Sequence, residues 1–186
     1  MKTIIIYLLI FTPILSFGQL IDELPRDESG KLNYSDIVQV DNVSIDELYL
    51  RSKQFFVDEL ESDKDIILLD DPESGIVLAK GFYDTYIGST KYQMWFTVKI
   101  QSKDGRYKYD IYNIYFRSYP DDSGKTSTLD DWYIFDRKRF YKKNGKPQKY
   151  LEEYKNAMTG QVTSLIKLIK ASMDNSETSD SDDEDW

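Results

Sequence analysis

The sequence predicts an α+β domain, with about five mostly antiparallel strands and two helices packed on the sheet. Three stretches carry that expectation. Residues 43–48 hold a complete helix-start pattern. Residues 103–106 form a tight turn between two runs of alternating side chains. Residues 150–173 repeat apolar side chains at helical spacing.

The elements follow in order. Residues 32–40 read as a first strand, rich in β-branched and aromatic residues. Ser44 and Glu47 then form an S-x-x-E capping box, in which each side chain satisfies a free amide of the first turn. Val43 and Leu48 add the hydrophobic staple across that turn. Ile45, Leu48, Tyr49, Phe56 and Leu60 recur every three or four residues and define one buried face. This helix should end near residues 60–63. Residues 65–71 are a short apolar run bounded by acids, expected as a strand. Asp71-Pro72-Glu73-Ser74-Gly75 is turn chemistry. Residues 76–87 form a longer strand in which Gly81 marks a bulge or a close backbone approach.

The next hairpin predicts its own register. Lys103-Asp104-Gly105-Arg106 is expected as a two-residue type I′ turn. That turn sets Ile100 opposite Tyr109, Val98 opposite Ile111 and Met94 opposite Tyr115. On the other face it sets Gln101 opposite Lys108 and Lys99 opposite Asp110, an opposite-charge pair. Phe96 faces Asn113, the one mismatch. A slip of one residue would invert every side chain. Carried onward, the same register sets Thr97 opposite Tyr112, Trp95 opposite Ile114 and Gln93 opposite Phe116. Trp95, Tyr112, Ile114 and Phe116 then form an aromatic-rich patch on the second face. Either the C-terminal part of the chain covers that patch, or it is a binding surface.

Residues 117–149 are irregular. Arg137, Lys138, Arg139, Lys142, Lys143, Lys146 and Lys149 make a basic run, a candidate for binding anions; the alternative is a solvated segment. Residues 150–173 form the second helix, with Leu151, Tyr154, Met158, Val162, Leu165 and Ile169 along one stripe. Gly160 weakens it by up to about 1 kcal/mol relative to alanine.

The ends have a different character. Residues 1–18 have a basic start, an apolar run and small residues before Gln19, the pattern of a secretory signal peptide cleaved before Gln19. The run is about a dozen residues, whereas a bilayer-spanning helix needs about 20. The mature protein is expected to be periplasmic or extracellular, with no transmembrane segment. The chain has no Cys, so neither lipid attachment through cysteine nor disulfides are available. Residues 19–173 are expected as one domain and residues 174–186 as a disordered acidic tail. The tail holds seven acids and no base; without them the net charge of −9 falls to −2. Trp186 is the one tail residue that solubility alone would not require. One expectation is that the tail folds back on the basic run.

The composition excludes much chemistry. With no His and no Cys, imidazole bases, thiol nucleophiles and zinc sites built from those residues are ruled out. Asp70 and Asp71 are neighbours on a strand and point to opposite faces. Asp130 and Asp131 have the same defect. No catalytic residue, cofactor or metal site is expected. Export and overall acidity argue against nucleic acid. The leading expectation is a non-catalytic binding module of the cell envelope, engaging an envelope protein or ligand. The alternatives are a carboxylate-dependent hydrolase of envelope polymers and a small-ligand or lipid carrier. The carrier would need a cavity between sheet and helices.

Several stretches also resemble a known family, in the right order. They are Gly30-Lys31-Leu32-Asn33-Tyr34-Ser35, Val43-Ser44-Ile45-Asp46-Glu47-Leu48-Tyr49, Asp71-Pro72-Glu73-Ser74-Gly75-Ile76-Val77-Leu78-Ala79-Lys80-Gly81 and Lys103-Asp104-Gly105-Arg106-Tyr107-Lys108-Tyr109. The family is a bacterial exported domain of unknown function with a fold like that of the TATA-binding protein. The resemblance covers about residues 30–117. It implies an antiparallel sheet carrying helices on one face. It implies no activity or ligand, and DNA binding does not follow from the shape.

Overall fold

A computed structural model describes residues 24–60, 67–118, 142–144 and 148–174. The expected signal peptide, residues 137–139 of the basic run and tail residues 175–186 lie outside the described residues. The chain runs β1 (Asn33–Gln39), α1 (Ile45–Glu59), β2 (Ile67–Asp71), β3 (Ile76–Ile87), β4 (Thr90–Lys103), β5 (Arg106–Ser118) and α2 (Lys149–Asp174). The five strands form one sheet in the order β1-β5-β4-β3-β2, every neighbouring pair antiparallel. Because β1 and β2 occupy opposite edges, α1 crosses the sheet between them. Both helices pack on one face, the inner face.

Local chemistry explains each boundary. The Ser44 hydroxyl accepts from the Glu47 amide (3.2 Å) and starts α1, a cap worth about 1 kcal/mol. The Asp71 carboxylate accepts from the Ser74 amide (3.1 Å) in the β2–β3 turn. Gly75 there has φ 64°, and a Cβ would lie 2.8 Å from the Ser102 carbonyl oxygen, so this turn requires glycine. Gly81 is a close approach: a Cβ would meet the Leu60 side chain at 3.3 Å.

The core lies between sheet and helices. Val77, Met94, Phe96, Val98, Ile100 and Ile111 of the sheet meet Leu48 and Phe56 of α1. Leu151, Tyr154, Met158, Val162, Leu165, Ile169 and Met173 complete it from α2. A fully buried apolar side chain contributes about 1.5–3 kcal/mol relative to an exposed one. The stripe therefore outweighs the cost of Gly160 several times over. The space a carrier would need for cargo is filled by these side chains.

Two buried groups on α1 were not legible as core. Ser52 donates to the Tyr49 carbonyl (2.7 Å). Arg51 donates from Nε to Glu47 (2.8 Å) and from Nη1 to the Met173 carbonyl (2.7 Å). The last turn of α2 has no basic residue of its own. Arg51 supplies the charge that the carbonyl end of a helix dipole favours.

The β4–β5 hairpin departs from expectation twice. Type I′ needs positive φ at both central residues; Gly105 has it (71°) and Asp104 does not. Tertiary bonds set this turn instead. The Asp104 carboxylate accepts from the Ile45 amide (2.9 Å), and the Gly105 amide donates to the Val43 carbonyl (2.9 Å). The turn thereby docks on the start of α1.

The second departure matters more. The expected register holds from Lys103↔Arg106 to Thr97↔Tyr112, then shifts by one, so that Trp95 faces Tyr115 and Met94 faces Phe116. Asn113 is the extra residue of this bulge, with φ 53°. Asparagine tolerates that left-handed backbone better than most residues. In the unshifted register its amide would face Phe96 in the core, where an unpaired polar group is costly. The bulge puts Ile114 into the core instead.

Replacing Asn113 by valine, Asn113→Val, should cost about 1–3 kcal/mol, the strain of a β-branched residue at positive φ. Asn113→Gly should stay within about 0.5 kcal/mol of the parent. Urea unfolding of the two variants checks both values.

Candidate binding surface

The sheet face away from the helices, the outer face, carries an aromatic row built by cross-strand register. Phe82 of β3 pairs with Trp95 of β4, and Trp95 with Tyr115 of β5. The Phe82 and Trp95 rings lie 4.8 Å apart. Trp95 and Tyr115 are parallel within 4° at 6.2 Å. Two cations flank the row. Lys80 Nζ lies 5.1 Å from the Trp95 ring centre and 5.5 Å from that of Tyr115. The Arg117 guanidinium carbon lies 5.1 Å and 5.9 Å from the same rings. Each such contact is worth about 0.5–1 kcal/mol or more, and more when water is excluded. The Trp95 indole donates to the Gln93 side-chain oxygen (3.2 Å). Phe82 and Tyr115 are buried, whereas Trp95 is half-buried.

Only part of the expected patch survives. Trp95 and Tyr112 do share the outer face. Ile114 and Phe116 do not: the bulge turns both inward, where each is 3% exposed. Phe116 packs edge-on against Tyr154 of α2, ring centres 5.1 Å apart. Tyr115 and Arg117 take the outward positions instead. The Phe96–Asn113 mismatch was the signal that could have located the slip. On the same face, Asp110 pairs with Lys108 (3.1 Å) along its own strand, although Lys99 sits opposite it as expected. Burial, then the Asp110 charge, pushes the Tyr112 phenol up, away from use as a base.

The basic run can be placed only in part. Lys142 and Lys143 are exposed; Arg137, Lys138 and Arg139 lie outside the described residues.

Asp70 and Asp71 separate as the strand pleat requires. Asp71 serves the turn. Asp70 faces α1, accepting from the Tyr49 hydroxyl and from Lys53 Nζ (2.7 Å). The Lys53 bond, then the Tyr49 bond, holds the Asp70 carboxyl below its ordinary range. The Asp70 bond in turn raises both Tyr49 and Lys53. Each group is locked into its resting charge state, the reverse of what a general base near neutral pH needs. This trio ties β2 to α1. Among the described residues, no group of three or more acidic side chains could hold a metal ion. Nor is any described helix long and apolar enough to cross a membrane.

Comparison with known proteins gives the fold a name. Residues 34–117 match a family described as a domain of unknown function (DUF4468) with TBP-like fold. Two crystal structures are similar. A DUF4468 family protein from Bacteroides ovatus has 13% identity and a TM-score of 0.60, covering 83% of this chain and 92% of its own. A TBP-like protein from Parabacteroides distasonis has 19% identity and the same TM-score, covering 82% of this chain and 97% of its own. No curated protein matches the sequence.

The Asp70 bonds have a pH signature. A carboxyl held low in the folded state adds stability above its unfolded pKa of about 3.9, and loses it as pH falls through the lower folded value. Asp70→Asn should therefore lower Tm at pH 7 and narrow its gap to the parent below pH 3. Thermal melts across that range check this.

Proposed function

Residues 34–117 being a DUF4468 domain with a TBP-like fold, we propose that the protein is an exported, non-catalytic binding module of the cell envelope. Its partner sits on the outer sheet face around Trp95. The observation that carries this reading is the half-buried Trp95 ring held between Lys80 and Arg117. Both helices pack on the opposite face, so the row is not part of the core beneath them. Aromatic residues and arginine are the side chains that concentrate binding energy at interfaces. A fixed ring presents its area with little entropy left to lose. The Lys80 ammonium beside the ring suits a partner carrying negative charge.

The hydrolase reading gains nothing from Asp70 and Asp71, since Asp70 is bound to Lys53 and Asp71 to its turn. Export rests on the signal-peptide pattern of residues 1–18, with the mature protein beginning at Gln19.

Binding of purified envelope polymers, peptidoglycan and lipopolysaccharide, tests the surface. Trp95→Ala should weaken binding at least tenfold, or by about 1.4 kcal/mol. Tyr86→Ser, at an exposed position at the far end of the same face, should leave it unchanged. Equal binding by parent and Trp95→Ala, or cleavage of the polymer, would overturn the proposal.

A further inference from the structure

The outer face has a second region, at the turn end of β4 and β5. Ile37, Gln101, Lys103, Arg106 and Lys108 line a cleft of about 200 Å³ there, with Lys99 on the same face. Ile37 is 57% exposed and gives the cleft an apolar floor. Among the described residues, Lys99, Lys103 and Arg106 have no acidic partner. This positive region stands out in a chain of net charge −9.

The end of α2 lies close by. The Met173 carbonyl is held by Arg51, and Lys170 pairs with Asp36 of β1 (3.3 Å). Burial, then the charge of Asp174 at the end of α2, pushes the Tyr107 phenol up. β1 is the sheet edge on that side. A chain leaving Asp174 therefore has one strand to pass, a width of about 4.8 Å, before reaching the outer face. Residues 175–186 carry six acids, no base and Trp186. Twelve residues span up to about 40 Å.

We propose that residues 175–186 pass around the β1 edge and dock on this cleft. Their carboxylates meet Lys99, Lys103 and Arg106, and the Trp186 ring covers Ile37. The occupant is the protein's own acidic segment. This differs from the expectation that the tail meets the basic run at residues 137–149. It is also independent of the Trp95 surface, which lies at the other end of the face.

The absence of cysteine makes the test direct. The full chain carries a spin label at Ser179→Cys, and paramagnetic broadening of backbone amides is read by NMR. In about 0.01 M salt, where the Debye length is about 30 Å, the amides of Ile37, Gln101 and Lys108 should broaden. In about 1 M salt, where it is about 3 Å, the broadening should largely vanish. Lys103→Glu with Arg106→Glu should abolish it at low salt, and both positions are exposed, so the fold is unaffected. No broadening at Ile37 and Gln101 at low salt would overturn the proposal. So would broadening at Lys142 and Lys143 alone. Equal broadening in a mixture of labelled and isotope-labelled chains would assign the contact to a second copy and overturn it too.

Discussion

One residue decides which side chains this sheet buries and which it shows. Asn113 adds a single unpaired position to β5, and every residue beyond it changes face. Ile114 and Phe116 go to the helices, and Tyr115 and Arg117 go outward. The same step completes the core against Tyr154 and creates the Phe82–Trp95–Tyr115 row. Core and candidate surface are therefore two consequences of one backbone conformation. The polar Asn113 side chain, unsuited to the Phe96 position, is the local cause.

The helices are tied to this sheet by polar contacts at their ends as well as by apolar burial. Ser44 and Asp104 both accept from amides of the first turn of α1, one locally and one from the β4–β5 turn. Arg51 closes the other helix by reaching the Met173 carbonyl. Removing Arg51 from its buried, charge-assisted bond costs about 1.5–3 kcal/mol, comparable with a large core side chain. The Asp70 bonds do the same for the far edge, joining β2 to α1. Apart from the Ser44 cap, these contacts link residues far apart in sequence.

That separation explains what the sequence did and did not disclose. Ser44, Glu47 and the α2 stripe are local patterns, and the helices they mark are present with nearly the expected bounds. The β3 strand and the first half of the β4–β5 register follow from alternation and a glycine turn. The type I′ expectation failed because Asp104 is used by α1, a contact no local pattern contains. The patch of Trp95, Tyr112, Ile114 and Phe116 failed by half because a period-two reading carries no information about an inserted residue. Tyr115 and Arg117 were missed for the same reason, whereas Lys80 joins the row only once β3 is laid beside β4. Arg51 reads as a surface charge until its partner at the end of α2 is placed beside it.

Core and outer face both depend on the direction of side chains after Asn113. Nuclear Overhauser contacts from the Trp95 and Tyr154 rings read that direction in solution. The bulge predicts contacts from Trp95 to Phe82 and Tyr115, and from Tyr154 to Phe116. Contacts from Trp95 to Ile114, with none between Phe116 and Tyr154, would show an unshifted register and contradict both the core and the surface described for this protein.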